Sequence, residues 1–221
     1  MVQPFTVVLV DDDSGSRRRY RTMLTGVPHI TIIGEASNGR DGVAIWLKRR
    51  PDLVLMDLNM PVMSGEEATR RIHLVDPMAC VVALTQSETA DHVRRAVEAG
   101  VAGYLLKATP MQEIGAALGD ALNGWMPLSA PIRVRIAELL RAGTPVATNS
   151  SLPCLTPRET EVVRCLVKGL SNRGIARELS LAEGTVRQHL ARLSAKLDAH
   201  SRVQILLRVT DLGLFDTSHQ V

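Results

Sequence analysis

One stretch decides the fold of this chain: Leu53-Val54-Leu55-Met56-Asp57-Leu58-Asn59-Met60-Pro61-Val62-Met63-Ser64-Gly65. Its apolar start has the length of a buried strand, and that strand ends on a single carboxylate, Asp57. Pro61 and Gly65 then mark a loop ahead of a helical pattern. Open α/β sheets bind their ligands at the carboxyl ends of strands, which is where Asp57 would lie. Taken alone, Asp57 is equally well explained as the cap of a turn.

Working outward, short apolar runs alternate with amphipathic helical patterns throughout residues 1–123. The runs are Phe5–Val10, Ile30–Gly34, Leu53–Met56, Cys80–Leu84 and Tyr104–Leu106. This alternation predicts an α/β domain with a five-stranded, doubly wound parallel sheet of order 2-1-3-4-5. Ser14 or Ser16 is expected to cap the first helix, and Val43, Ala44 and Leu47 are expected to face inward on the second.

The rest of the chain has a different character. Residues 124–151 are rich in Gly, Pro, Ser and Thr and hold one helical pattern, Ile132–Leu140, so they are interpreted as a linker. Residues 152–216 contain four helical patterns and no strand pattern, which predicts a second, smaller all-α domain. Residues 217–221 are interpreted as a C-terminal tail.

Composition excludes several classes of protein. The chain has 221 residues and no apolar run near the length of a membrane span, and its first residues lack a signal-peptide pattern. Its three cysteines are scattered, which argues against a disulfide framework and for a cytoplasmic location. The formal net charge of +3 comes from the C-terminal part, because residues 1–151 hold 16 basic and 16 acidic residues and residues 152–221 hold 10 and 7. The second domain is therefore the one to inspect for nucleic-acid binding.

Polar side chains follow four of the predicted strands. Asp11 and Asp12 end the first strand, Asp57 the third, Thr85 the fourth and Lys107 the fifth. Each has an ordinary explanation as a solvated or structural residue, but parallel strands bring all of them to one edge of the sheet. Crowded carboxylates of this kind suit Mg²⁺, and an Asp beside that ion can attack phosphorus. Lys107 and Thr85 would then contact the phosphoryl oxygens. The sequence thus predicts a phosphoryl-accepting site.

The second and third helical patterns of the C-terminal domain form a helix-turn-helix, joined at Ser180-Leu181-Ala182. On the third helix a buried stripe leaves one polar, basic face that suits the DNA major groove. Its members are Thr185, Arg187, Gln188, Ala191, Arg192 and Lys196. A solvated amphipathic helix would show a similar face, so charge alone does not decide.

The motifs in the first domain resemble the CheY-like receiver domain of bacterial two-component response regulators. They are Val10-Asp11-Asp12, Met56-Asp57, Met60-Pro61, Ser64-Gly65, Ala83-Leu84-Thr85 and Gly103-Tyr104-Leu105-Leu106-Lys107. The resemblance implies that Asp57 is the phosphoacceptor. It also implies that Asp11, Asp12, Asp57 and the Asn59 backbone carbonyl hold Mg²⁺, and that Thr85 and Tyr104 form a switch pair. Asp13, Gln86 and Ala108 depart from the usual pattern.

The C-terminal motifs resemble the LuxR-type helix-turn-helix domain. They are Leu155-Thr156-Pro157-Arg158-Glu159, Gly169-Leu170-Ser171-Asn172, Ile175-Ala176, Glu183-Gly184-Thr185-Val186-Arg187, His189-Leu190 and Lys196-Leu197. A receiver followed by this domain is the NarL/FixJ architecture. The resemblance implies a non-enzymatic transcription regulator that is phosphorylated by a sensor histidine kinase and binds double-stranded DNA as a homodimer. It places candidate dimer contacts at Val203, Leu206 and Leu207, on the fourth helix.

Three alternatives remain at the level of sequence. Gln86 and Asp13 are compatible with a receiver that regulates DNA binding without phosphorylation. A phosphatase that uses Asp57 as nucleophile is disfavoured, because Asn59 stands where a second acid would be needed. A protein-interaction module without DNA affinity is the third. The run Arg17-Arg18-Arg19 is interpreted equally well as a kinase-docking surface or as a solvated face.

Overall fold

Five parallel strands form the sheet of the N-terminal domain in a computed structural model that describes residues 5–87, 89–122, 127–141, 155–168, 170 and 172–211. The strands are β1 (Phe5–Val10), β2 (Ile30–Ala36), β3 (Leu53–Asp57), β4 (Val81–Thr85) and β5 (Gly103–Leu106). They lie in the order β2-β1-β3-β4-β5, and all the pairings are parallel, which confirms the predicted topology. The carboxyl ends of β1, β3, β4 and β5 therefore lie along one edge of the sheet.

Helices cover both faces of this sheet. They are α1 (Ser14–Thr25), α2 (Gly39–Arg49), α3 (Gly65–His73), α4 (Ala90–Ala99) and α5 (Met111–Leu122). Tyr20 and Leu24 of α1 join Leu118 of α5 in one buried cluster. Trp46 of α2 and Ile72 of α3 belong to another cluster, which also contains β1 and β3 residues. The central strands β3 and β4 are thereby buried at every residue, as their unbroken apolar runs predict, whereas the edge strand β2 is only partly buried.

Two local predictions were wrong. Helix α1 is capped by neither Ser14 nor Ser16, because the Asp13 carboxylate accepts the Ser16 N–H at 2.7 Å. Asp13, the additional acid of the sequence, is therefore an N-cap residue. On α2, Ala44 and Leu47 are exposed, Leu47 by 46%, whereas Val43 packs partly against the core and the large buried side chain is Trp46. Arg50 stacks its guanidinium over the Trp46 ring at 4.3 Å, so this aromatic side chain anchors the helix end.

Residues 127–136, within the predicted linker, belong structurally to the N-terminal domain. The Tyr104 N–H donates to the Pro127 carbonyl at 2.9 Å, and Leu128 forms a parallel bridge with Tyr104. Helix α6 (Ala130–Arg141) then follows, with Ile132 and Ile136 buried in the same cluster as Tyr104. The predicted helix is present, and it packs beside α4. Residues 142–151 lie outside the described residues.

The C-terminal domain consists of α7 (Pro157–Val167), α8 (Asn172–Glu178), α9 (Glu183–Leu197) and α10 (Arg202–Asp211). A capping box begins α7, where Thr156 and Glu159 satisfy each other's backbone N–H groups. Val186, Leu190, Leu193 and Leu197 of α9 are buried, as their spacing predicts. These residues fix which face of α9 remains outside the core. Within the described ranges, no helix is long and apolar enough to span a bilayer.

The two domains meet where α10 lies against α4. The Gln204 side-chain amide donates to two carbonyls in the last turn of α4, those of Val97 at 2.7 Å and Glu98 at 2.8 Å. The His200 ring stacks beside His73 of α3, with ring centroids 6.2 Å apart. Leu207 packs against the buried cluster that includes Val93 and Val97. The contact therefore combines directional hydrogen bonds with apolar packing.

Candidate functional site

Three carboxylates meet at the carboxyl edge of the sheet. Asp11, Asp12 and Asp57 each place an oxygen within 4.8 Å of the others. Asp11 and Asp57 are 3% and 4% exposed, while Asp12 is exposed. Their convergence follows from the parallel pairing of β1 and β3, in which Val10 is the partner of Met56.

Lys107 approaches the same carboxylates from the end of β5. Its ammonium is 2.7 Å from Asp57 Oδ2 and 2.7 Å from Asp11 Oδ2. The Asn59 N–H donates to the other Asp57 oxygen at 3.2 Å. One cation thus bridges two buried acids, and each oxygen of Asp57 has a donor nearby.

The charges at this edge perturb one another. Burial raises the pKa of Asp57, and the neighbouring Asp11 carboxylate acts in the same direction, while the Lys107 ammonium partly offsets both. Burial by itself would lower the pKa of Lys107, but Asp11 and Asp57 hold it above its ordinary value. Lys107 is therefore cationic at neutral pH.

The chemistry of this donor set fits a hard divalent cation. Carboxylate oxygens are the ligands that Mg²⁺ prefers, and Asp11, Asp12 and Asp57 supply them from one side. Among the described residues, the buried Oδ2 of Asp11 accepts no hydrogen bond of normal geometry, although the Lys107 ammonium lies close to it. The Lys107 ammonium offsets the charge of this oxygen at 2.7 Å, and Mg²⁺ would share the Asp11 carboxylate with Lys107.

The loop after Asp57 depends on a close backbone approach at Gly65. A Cβ atom at Gly65 would lie 2.1 Å from the Asp57 carbonyl oxygen, so no larger residue fits without movement of the backbone. The Gly65 N–H also donates to the Leu58 carbonyl at 2.9 Å. Ser64 then caps α3 by accepting the Glu67 N–H. Gly65 therefore permits the tight turn that follows Asp57.

Thr85 and Tyr104 lie on the neighbouring strands β4 and β5. Thr85 is fully buried, and its hydroxyl oxygen accepts the Ser87 N–H at 3.1 Å. Tyr104 is also fully buried, and its hydroxyl donates to the Ser87 carbonyl at 3.1 Å. Burial raises the pKa of Tyr104 to about 12, so its hydroxyl stays protonated as a donor. Gln86 is exposed beside Thr85.

The predicted DNA-facing residues lie outside the core of the C-terminal domain. Arg187, Gln188, Ala191, Arg192 and Lys196 are exposed and Thr185 is half-buried. Lys196 also makes an ion pair at 2.6 Å with Glu159 of α7, so its ammonium is partly engaged inside the domain. Arg187, Gln188 and Ala191 line a cleft of ≈ 530 Å³ together with Asp76, Pro77 and Met78 of the N-terminal domain.

Comparison with known proteins agrees with this arrangement. The family model of the response regulator receiver domain matches residues 7–119, and that of bacterial regulatory proteins of the luxR family matches residues 153–209. The chain is 34% identical to the nitrate/nitrite response regulator protein NarL of Escherichia coli (strain K12), over 96% of this chain and 98% of that one. It is 35% identical to the transcriptional regulatory protein LiaR of Bacillus subtilis (strain 168), over 90% and 93%.

A solved structure covers nearly the whole chain. The crystal structure of response regulator ChrA, from a heme-sensing two-component system, has a TM-score of 0.53 and 29% sequence identity, and it covers 97% of this chain and 100% of ChrA. The chain belongs to the response regulator family. It is a transcriptional response regulator with a receiver domain and a LuxR-type DNA-binding domain, and neither matched domain represents an enzyme class.

In this response regulator the structure brings together Asp11, Asp12, Asp57 and Lys107, with Thr85 and Tyr104 on the adjoining strands. The candidate dimer contacts lie in different surroundings. Leu206 packs partly against the core of the C-terminal domain, and Leu207 packs against the receiver domain. The side chain of Val203 lies outside the described residues.

Arg17 and Arg19 were not predicted as part of the site of this response regulator. Arg17 donates to the Asp11 and Asp12 carbonyls, and Arg19 donates to the Lys107 carbonyl. Both arginines follow the acids closely in the sequence. Their acceptors are backbone carbonyls, however, and every residue has one, so the sequence does not indicate which carbonyls an arginine will bind.

Proposed function

We propose that Asp57 accepts a phosphoryl group from a sensor histidine kinase and that this modification controls DNA binding. The observation that carries the proposal is the convergence of Asp11, Asp12 and Lys107 on the Asp57 carboxylate. Asp11, Asp12, Asp57 and the Asn59 carbonyl would hold Mg²⁺, which when bound offsets the negative charge that gathers during transfer.

In the proposed transfer, a carboxylate oxygen of Asp57 forms a bond to phosphorus. The bond between phosphorus and the donor's imidazole nitrogen breaks, and its electron pair stays with the imidazole. The Lys107 ammonium then contacts a phosphoryl oxygen in place of one of its present carboxylate partners. The Thr85 hydroxyl would leave the Ser87 N–H to contact another, with Tyr104 buried behind it. Attack of water on the same phosphorus would return Asp57 to its free form.

The output would be a dimer on double-stranded DNA. The exposed face of α9 carries Arg187, Gln188 and Arg192, side chains that read guanine and adenine edges or bind phosphates. Val203, Leu206 and Leu207 on α10 would form the dimer contact. Two copies related by a two-fold axis would then bind paired half-sites. A regulator that binds the chromosome works in the cytoplasm of a bacterium.

The phosphoryl-acceptor role is tested with the purified full chain, Mg²⁺ and acetyl phosphate, read by intact mass. Wild type is expected to gain the mass of one phosphoryl group, and Asp57→Asn is expected to gain none. Asp91→Asn serves as the matched control, because its side chain is 83% exposed on α4. Absence of a mass gain on wild type, combined with sequence-specific DNA binding, would favour regulation without phosphorylation.

A further inference from the structure

The basic run of α1 is divided between the site and the surface. Arg17 Nη1 donates to the backbone carbonyl of Asp11 at 2.6 Å and to that of Asp12 at 3.1 Å. Arg19 Nη2 donates to the backbone carbonyl of Lys107 at 3.1 Å. Arg18 and Arg19 are both exposed and line a groove between α1 and α5, so Arg19 differs from Arg18 by its bond to the Lys107 carbonyl and not by burial. Two of the three guanidinium groups thus bind the loops that present the reactive side chains.

Arg17 is itself held in place. Its side chain is 20% exposed, and its Nε lies 3.9 Å from the Glu35 carboxylate of β2. Glu35 also accepts two hydrogen bonds from the Arg21 guanidinium, which fixes the carboxylate. A planar guanidinium with several donors can bind two carbonyls in one orientation, which an ammonium does less well.

Arg19 acts on the other side of the site. The residue after Lys107 is Ala108, so no proline ring restrains the backbone there. The Arg19 guanidinium also receives support from Tyr20, whose hydroxyl oxygen accepts at 3.2 Å. Lys107 is the first residue after β5, and its N–H donates to the Thr85 carbonyl. A bond from Arg19 to the Lys107 carbonyl therefore fixes the backbone on the other side of this residue and helps to set the position of its ammonium.

We propose that Arg17 and Arg19 are positioning residues of the phosphoryl-accepting site. From one helix they hold two backbones, Arg17 that of the Asp11–Asp12 pair and Arg19 that of Lys107. The inference rests on the proposed role of Asp57 and assigns a separate role to each arginine. Arg17 supports metal binding, and Arg19 supports the phosphoryl-binding lysine. Neither side chain contacts the phosphoryl group.

The two roles predict that each arginine variant changes a different measurement on the full chain: Mg²⁺ affinity for Arg17 and labelling rate for Arg19. Arg17→Ala is expected to weaken Mg²⁺ binding about tenfold, because loss of a group that orients metal ligands typically costs ~10–100-fold in affinity. Arg19→Ala is expected to leave Mg²⁺ affinity unchanged and to slow acetyl phosphate labelling at saturating Mg²⁺ about tenfold, since small misplacements of catalytic groups cost up to ~100-fold. In the labelling reaction, Asp57 bonds to phosphorus while the bond to acetate breaks, and acetate leaves with the electron pair.

The sign of the Mg²⁺ effect separates positioning from charge. Removing a nearby cation by itself would strengthen Mg²⁺ binding, because like charges repel. A weaker affinity for Arg17→Ala therefore reports lost positioning. Arg17→Lys keeps the charge and is expected to recover part of the affinity through a bond to one carbonyl. Arg18→Ala is the matched control on the same helix and is expected to match wild type in both measurements.

The experiment titrates Mg²⁺ alone by calorimetry and follows labelling by intact mass for each variant. Unlabelled wild type would refute the role of Asp57 itself. Labelled wild type with Arg17→Ala and Arg19→Ala indistinguishable from Arg18→Ala would overturn the positioning proposal and favour a surface role for the whole run. If Arg17→Ala does not fold, Arg17→Gln replaces it, and an unchanged Mg²⁺ affinity in that variant also overturns the proposal.

Discussion

At the scale of single residues, the loop after Asp57 places unusual demands on its backbone. Gly65 is required because the Asp57 carbonyl occupies the space of a Cβ atom. Val62 has φ = 69°, in the left-handed region that β-branched residues avoid, and its side chain is 70% exposed. The exposed valine therefore contributes little burial while its backbone is strained.

We expect Val62→Asn to stabilise the receiver domain. Asparagine tolerates the left-handed region, so the substitution relieves strain of about 1 kcal/mol and exposes no buried surface. The measurement is urea unfolding of the full chain. Val75→Asn is the matched control, since Val75 is 52% exposed and has no positive φ. Equal stability changes in the two variants would contradict the strain argument.

The acids, threonine and lysine of the site were predictable because each one follows an apolar strand pattern. Periodicity identifies the strands, and parallel topology then determines that their ends meet. Arg17 and Arg19 were not predictable in this way, because three consecutive arginines on an amphipathic helix are typical of a solvated face. The distinction appears only in the structure, where the Arg17 and Arg19 guanidinium groups donate to loop carbonyls.

At the scale of helices, α7 and α9 are joined by a nearly buried acid. Glu159 is 3% exposed, completes the capping box of α7 and pairs with Lys196 of α9. Burial acts against its ionisation, but Lys196 and the Thr156 N–H together hold the pKa of Glu159 below its ordinary value of 4.5. The same carboxylate thus caps the start of α7 and ties this helix to α9.

Glu159→Gln is expected to destabilise the C-terminal domain by about 1–2 kcal/mol at neutral pH, because a charge-assisted hydrogen bond to a partly exposed lysine is lost. The contribution of Glu159 is fully present above its ordinary pKa and disappears as the pH falls through the lowered pKa. The variant should therefore lose less stability than wild type when the pH is lowered below 4.5. Unfolding followed against pH measures both effects.

Glu161→Gln on the same helix is the control, since Glu161 is 43% exposed and pairs only at the surface in the described part of the chain. It should change stability by less than about 0.5 kcal/mol. A similar loss in both variants would show that the α7–α9 pair has no special role.

The exposed face of α9 carries a second prediction at this scale. Arg187→Ala is expected to weaken DNA binding and to reduce the slope of log affinity against log salt by about one. The measurement uses duplexes selected from a random pool by the phosphorylated full chain. Lys168→Ala removes a cation from α7, where it pairs weakly with Glu178 at 3.7 Å, and should leave the slope unchanged. An unchanged affinity and slope for Arg187→Ala would remove Arg187 from the DNA contact, and failure to select any duplex would favour the interaction module without DNA affinity.

The helices themselves could be predicted better than their faces. α9 begins directly after the predicted Ser180-Leu181-Ala182 turn, and its apolar spacing is regular over its whole length. On α2 the pattern pointed to Leu47, but Trp46 is the buried residue since a large aromatic ring buries more surface than leucine and sets the rotation of the helix. The Glu159–Lys196 pair spans 37 positions and has no local signal.

At the scale of the whole molecule, the receiver holds the C-terminal domain through α10. Gln204 binds two carbonyls of α4, and residues of the α9 face line the cleft between the domains. No sequence pattern predicted this contact, because its acceptors are backbone carbonyls and its apolar members also fit a domain core. The arrangement brings the candidate dimer helix and the candidate DNA face to the same boundary.

We expect Gln204→Ala to open this contact and to increase DNA binding by the unphosphorylated chain. The loss of two hydrogen bonds should favour separated domains by about 1–3 kcal/mol, equal to a rise of roughly 5- to 150-fold in the ratio of open to closed chains. Small-angle scattering and DNA affinity measure the two consequences. Gln112→Ala, on the exposed surface of α5, is the control. A compact Gln204→Ala variant with unchanged affinity would contradict the expectation.

The contact between α10 and α4 also has a consequence for concentration. Both partners are on one polypeptide, so each meets the other at an effective concentration on the order of 1 mM. A second copy of the chain at about 1 μM competes for the same helix from a thousandfold lower concentration. Dilution should therefore separate dimers on α10 and leave the closed monomer unchanged, because a contact within one chain does not depend on protein concentration. Pairing of two copies then requires either a weaker α4 contact or a DNA duplex that gathers them.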